Sequence, residues 1–264
     1  MNFEFIGKYF GFGKDLYEAE GWLSWQHLIF VTLAIIVTIF LAFFLSKKKQ
    51  DKSREEKIKV LKVASIVMLL LEATKIILEC FHQHDVWACR SVLPLFLCSI
   101  ILFSLPIAAF TKGRVQEAAF DFTQIFGIIA CLAGTYLAGN IFRSPILSFY
   151  VDVSVTTHCI SGFASLYITL SKLSKMEKKN TLFVSIILLI FEVLALSVDL
   201  IQLNSNYQHN YMFLITPDGT PFSIVEKIAG GHQAIYTILV MLIYFVYLFL
   251  YILIYRLITK KKAN

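Results

Sequence analysis

Seven blocks of about twenty apolar residues, near 27–46, 60–81, 92–111, 118–138, 149–171, 181–203 and 232–258, occupy most of this 264-residue chain. A bilayer core about 30 Å thick takes roughly 20 helical residues to cross. With 58% hydrophobic and only 16% charged residues, too little polar length remains between the blocks for a soluble domain. Backbone groups in hydrocarbon must be satisfied within their own segment, so each block is read as a helix. The fourth is the weakest, because Glu117 and Asp121 sit at its start. The expected fold is all-α: a polytopic membrane protein of about seven transmembrane helices in one bundle, a single domain over residues 1–264.

Basic residues set the orientation. Seven spans put Lys47, Lys48, Lys49, Lys52, Arg54, Lys57 and Lys59 on one side together with Lys112, Arg114, Lys172, Lys175, Lys178, Lys179, Arg256, Lys260, Lys261 and Lys262. The other side carries Lys8, Lys14, Arg90, Arg143 and Lys227. Short loops rich in Lys and Arg stay cytoplasmic. The count of 17 against five therefore predicts an N-terminus outside and a C-terminus in the cytoplasm, as in a multi-pass plasma-membrane protein. The net charge of +6 is a topological signal and suits anionic lipid. Nucleic acid would need a basic face on a soluble domain, so no nucleic-acid partner is expected.

Residues 1–26 lack the charged start and apolar core of a cleavable signal. They interleave Phe3, Phe5, Tyr9, Phe10, Tyr17, Trp22 and Trp25 with polar residues, which predicts an interfacial segment on the outer surface. Trp22, Trp25 and Trp87 all map to the outer boundary, where amphipathic rings are favoured.

Ionisable side chains are costly inside a membrane and usually face a bundle interior or a wet cavity. The second block carries Glu72, Lys75 and Glu79 on one helical face, which reads first as an internal salt-bridge ladder. The sixth carries Glu192, Asp199 and Gln202 on another. In the fifth, Ser154, His158, Ser161, Gly162 and Ser165 form a stripe typical of helix packing, in which only the imidazole is unexplained. Gly127, Cys131, Gly134 and Ala138 of the fourth block read as packing alone. With alternating directions, His27 and His232 fall at the outer boundary. Cys98 lies roughly 9 Å and His158 roughly 13 Å below it at a helical rise of 1.5 Å per residue. A cavity opening outward, lined by His27, Glu72, Lys75, Glu79, Ser154, Asp199 and His232, would gather these groups.

Of the five cysteines, Cys80 and Cys89 flank a short outer loop holding His82, His84, Asp85 and Trp87. A disulfide there is one reading and a metal site a weaker one, since the spacing fits no zinc pattern. Cys131 and Cys159 read as small apolar fillers. No phosphate loop, zinc helix or nucleophile elbow occurs, and no cofactor is expected.

The run Leu93-Pro94-Leu95-Phe96-Leu97-Cys98 resembles the Leu-Pro-Leu-His-Leu-Cys motif of the YwaF-like family of bacterial membrane proteins. His27 at the first block, His158 in the fifth and Asn210-Tyr211-Met212-Phe213-Leu214 before the last agree in order and spacing. That family is similar to an animal membrane acyltransferase that builds ether phosphatidylethanolamine and uses a cysteine and a histidine. The resemblance implies Cys98 as nucleophile and His158 as its base, with membrane lipids as partners: a phospholipid acyl donor and a lysolipid acceptor. Two positions depart from the pattern. Phe96 replaces the motif histidine, and Ala229-Gly230-Gly231-His232-Gln233 replaces an aromatic-Pro-aromatic run.

The chemistry is coherent, because a base or cation near a buried thiol helps to yield thiolate, and a thioester divides acyl transfer into two easier steps. Lys75, Ser154 or an outer-loop amide could hold the oxyanion. The leading expectation is an acyltransferase or hydrolase acting on lipid acyl chains in the outer half of the membrane. The alternative is a small-solute binding or transport protein in which Glu72, Lys75, Glu79, Glu192 and Asp199 line a path. The sequence shows neither internal repeats nor broken helices of transporter type. A signalling receptor or interaction scaffold is a third reading.

Overall fold

The computed structural model describes residues 3–11, 18–82, 84, 85, 87, 89, 93–139, 141–205, 208–218 and 220–261. Lys14, Tyr17, Arg90 and Lys262 lie outside the described residues. Within them the chain is all-helical: α1 (Phe3–Tyr9), α2 (Trp25–Lys48), α3 (Arg54–His82), α4 (Ile101–Phe110), α5 (Gly113–Leu132), α6 (Phe149–Leu170), α7 (Lys178–Gln202), α8 (Ser223–Ala229) and α9 (Gln233–Lys261). Five stretches are long and apolar enough to cross a membrane: α2, α5 with its continuation to Arg143, α6, α7 and α9. The chain is a multi-pass membrane protein. α3 has the length but carries Lys62, Glu72, Lys75 and Glu79 along it.

The third apolar block is not a continuous helix, which corrects the expectation for residues 92–111. Only Ile101–Phe110 is α-helical. Upstream, Leu95 N–H donates to the Leu93 carbonyl at 2.8 Å and Ser99 N–H to the Phe96 carbonyl at 2.8 Å, a chain of tight turns. Pro94 lacks an N–H and biases Leu93 away from the helical region, so a helix cannot run through this point undisturbed. Cys98 precedes the helix, and a depth reckoned from helical rise does not apply to it.

α5 is the central helix. Phe120, Phe122, Ile125 and Phe126 are wholly buried, and α5 packs on α4, α6 and α7. Its backbone nearly touches α6, because a β-carbon on Gly127 would meet the Ser161 carbonyl. One turn on, a β-carbon on Gly162 would lie 2.6 Å from Cys131 Cβ. Small residues at such crossings allow the close packing that drives helix association in lipid. Asp121 is accommodated by bonds from the Ser174 hydroxyl and from Asn180 Nδ2, the latter at 2.9 Å, so this carboxyl does not interrupt the span.

The lysine-rich ends meet at one end of the bundle. There Arg54 pairs with Glu117, Lys57 Nζ reaches the Ser171 carbonyl at 3.5 Å and Arg256 donates to the Met176 carbonyl at 3.2 Å. The N-terminal segment caps the opposite end. Tyr9 donates to Asp152 at 3.0 Å, the Ile146 N–H bonds Glu20 at 2.8 Å, Trp22 Nε1 reaches the Tyr136 carbonyl at 2.8 Å, and Gly11 lies against the His82 ring.

Candidate functional site

Beneath that cap α3 and α6 face one another. Glu72 is buried, and its Oε1 lies 2.8 Å from Lys75 Nζ; the two side chains are only 10% and 15% exposed. The pair faces inward, as the burial cost of charge in lipid requires. Glu72 and Glu79 both act electrostatically on Tyr150, which lies on α6 in line with Ser154 and His158. Ser154 is buried one turn before His158. The Lys75 charge also acts on two further groups, the Cys98 thiol and the His158 imidazole. Both side chains are half-buried. Cys98 Sγ has Ser99 Oγ at 3.9 Å, and the Ala130 carbonyl lies beside the His158 ring. α3 packs on both α4 and α6, so Lys75 lies on the helix between the element that follows Cys98 and the one that carries His158.

The floor under His158 is a feature that sequence reading assigned to packing. α5 ends at Leu132 and continues as a π-helical turn over Ala133–Leu137. Within it Gly134 is so close to His158 that a β-carbon would collide with the imidazole. Single π turns inside α-helices recur at functional sites. His27 holds this turn. Its Nε2 bonds the Thr135 carbonyl at 2.9 Å and its Nδ1 accepts the Leu23 N–H at 3.1 Å, which fixes the neutral tautomer with the proton on Nε2. His27 is fully buried beneath Phe142, so the structure places it as the anchor of the π turn.

Cys98 is held from the other side by the loop after α7. Asp199 is buried, and its Oδ1 accepts the Tyr211 N–H at 3.0 Å. The Tyr211 hydroxyl in turn accepts the Leu93 N–H at 3.1 Å, and its ring packs on Phe96 at 5.1 Å between centroids. Phe96 therefore fills apolar space where the resembled motif has an imidazole. Met212 and Phe213 both have left-handed backbones, with φ of 54° and 56°. Tyr244 and Tyr236 of α9 grip their carbonyls, each at 2.8 Å. Asn210 ties the loop closed, accepting the Ile215 N–H at 2.9 Å and donating to the Thr216 carbonyl at 2.6 Å. Strained, over-determined backbone of this kind clusters at functional sites. The Asn210–Leu214 motif thus positions the Cys98 segment.

Other expectations fall elsewhere. His232 is exposed in the turn between α8 and α9, and its backbone bonds are local, to Ala229 and Tyr236. No disulfide joins Cys80 and Cys89 in the structure, so the loop between α3 and α4 is not closed by one. Among the described residues no three metal-ligating side chains converge. Glu192 is fully buried on α7 and neither of its carboxyl oxygens has a hydrogen-bond partner. Glu192 and Cys98 both lie within electrostatic reach of Tyr244 on α9.

A family profile, that of the TMEM164 family, matches residues 22–258. No curated protein and no solved structure gives a significant match.

Proposed function

The chain belongs to the TMEM164 family, and within it we propose a membrane-embedded acyltransferase that moves acyl chains between lipids through Cys98 and His158. The observation that carries this reading is the inward-facing Glu72–Lys75 pair, whose ammonium lies within electrostatic reach of both the half-buried thiol and the half-buried imidazole. Seven crossings follow if α3 and the broken 93–110 element each span the bilayer. The basic loops then put the N-terminus and this site toward the outer face of the plasma membrane.

In the first step the Cys98 proton passes to His158 and Sγ attacks the ester carbonyl of a phospholipid donor. The carbonyl–glycerol C–O bond breaks, and the departing alkoxide takes the proton from the imidazolium as the lysolipid leaves. In the second, an acceptor lysolipid hydroxyl gives its proton to His158 and attacks the thioester. The C–S bond breaks and the thiolate recovers the proton. Lys75, held by Glu72, stabilises the negative charge that develops on sulfur and on the tetrahedral oxygen, the usual work of a preorganised cation in a dry site. Water in place of the acceptor would make the same site a hydrolase.

The test uses purified protein in liposomes carrying a labelled phospholipid and a lysolipid. Labelled product formed by the wild type, and lost in Cys98→Ser and His158→Ala variants that still fold, supports the reading. A thiol-reactive lipid analogue should modify the wild type at Cys98. Undiminished transfer in both variants overturns it.

A second reading rests on Glu192. A buried carboxyl with both oxygens unpartnered suits a proton- or cation-coupled transport path between α7 and α9. Solute uptake into liposomes that depends on Glu192 and is indifferent to Cys98→Ser would favour transport.

A further inference from the structure

At the lysine-rich end, far along α6 from His158, the structure holds a groove of about 550 Å³ between α2, the start of α3 and the end of α6. Its membrane-facing wall is Phe40 and Phe44, 62% and 50% exposed. Its rim is Lys47, Lys57 and Lys172, and its floor includes Ser171. Aromatic rings at hydrocarbon depth below a ring of ammonium groups match the two halves of a phospholipid.

We propose that this groove binds an anionic phospholipid of the lysine-rich leaflet, its headgroup phosphate among the three lysines and one acyl chain along Phe40 and Phe44.

Charge complementarity carries the assignment. Among the described residues none of the three lysines is paired with a carboxylate, although Lys49, Arg54, Lys59 and Lys179 on the same end all are. Lys57 is steered toward the groove by its 3.5 Å contact with the Ser171 carbonyl. No Asp or Glu lines the groove, so it offers nothing to the cationic part of a choline or ethanolamine headgroup. Glu56, at the start of α3, is engaged by Lys49 and Lys59. Lys172 is also held at φ +55°, where Gly or Asn would sit with less strain, so a long cation occupies a position whose backbone favours a small residue. Basic pockets between spanning helices on the cytoplasmic side are a general mode of anionic-headgroup recognition. The site is remote from Cys98 and stands whether or not that cysteine is catalytic.

The test is native mass spectrometry of the full-length protein released from membranes of phosphatidylcholine mixed with phosphatidylglycerol. One phosphatidylglycerol should stay bound to the wild type and to Cys98→Ser. It should be lost by about tenfold or more in Lys47→Gln/Lys172→Asn, in which Asn tolerates the left-handed backbone. The wild-type melting temperature should rise with phosphatidylglycerol and not with phosphatidylcholine, a readout that needs no variant. Equal retention of the two lipids, unchanged retention in the double variant, or the same stabilisation by inorganic phosphate would overturn the proposal.

Discussion

The imidazole of His158 occupies the space that a β-carbon on Gly134 would need. This contact ties the base of the proposed reaction to a backbone irregularity in a neighbouring helix. Gly134→Ala should displace the ring. Overpacking of this kind costs about 1–3 kcal/mol. The expected result is acyl transfer reduced by more than tenfold with the protein still folded by gel filtration. A Gly113→Ala control, where no neighbour lies within 4 Å of the added carbon, tests for effects of backbone strain alone.

Removing one member of the Glu72–Lys75 pair strands the other in the bundle. Breaking a buried pair costs about 3–5 kcal/mol, and partial exposure of these side chains brings the expected loss toward the lower end. Lys75→Met should lower the melting temperature clearly in detergent. Glu72→Gln combined with Lys75→Met should recover most of that loss while activity stays absent. Additive losses in the two single variants would show that the pair is not coupled.

Tyr211→Phe removes the acceptor for the Leu93 N–H and leaves the edge-on ring contact with Phe96 in place. A lost hydrogen bond of this type costs about 1 kcal/mol. The informative readout is the rate at which a thiol reagent labels Cys98, because a loosened 93–100 segment should change it several-fold. An unchanged rate would mean that the segment is held by packing alone.

His209 stacks on Tyr211 with ring centroids 5.3 Å apart, and burial pushes its imidazole below the ordinary value of 6.5. The folded loop therefore binds fewer protons than the unfolded chain in the interval between the two values. Its contribution to stability is complete above about 6.5 and falls as the pH drops from there through the folded value. Thermal unfolding followed from pH 8 to 5 should show this slope, and His209→Gln should flatten it.

Orientation is tested by a reporter fused after Asn264, which should behave as cytoplasmic. An external C-terminus would remove one of the two short or charged elements, α3 or the broken 93–110 segment, from the set of crossings.

What could be read from sequence was what lipid enforces chemically. Glu72, Lys75, Glu192 and Asp199 had to turn inward because hydrocarbon penalises charge, and the structure buries Glu72, Glu192 and Asp199 and pairs Lys75. The broken segment before α4 was hidden because hydropathy is blind to backbone hydrogen bonding. Residues 92–111 are as apolar as any span, and Pro94 alone marked the break. The π turn left no mark at all, so Gly134 passed for one more small residue in a packing stripe. His27 was recognised as special for its position, but its role as an anchor depends on the Thr135 carbonyl, 108 residues away.

The cap formed by the N-terminal segment has a kinetic consequence. With Tyr9, Glu20 and Trp22 fastened across that end of the bundle, a lipid substrate of the proposed reaction would reach Cys98 sideways, between helices, from the surrounding leaflet. Such a substrate would arrive by two-dimensional diffusion, and the quantity that saturates the protein would be a mole fraction in the plane of the membrane. Blending inert lipid into the vesicles should slow turnover at constant total substrate, while diluting the same vesicles into buffer should leave the rate per protein unchanged.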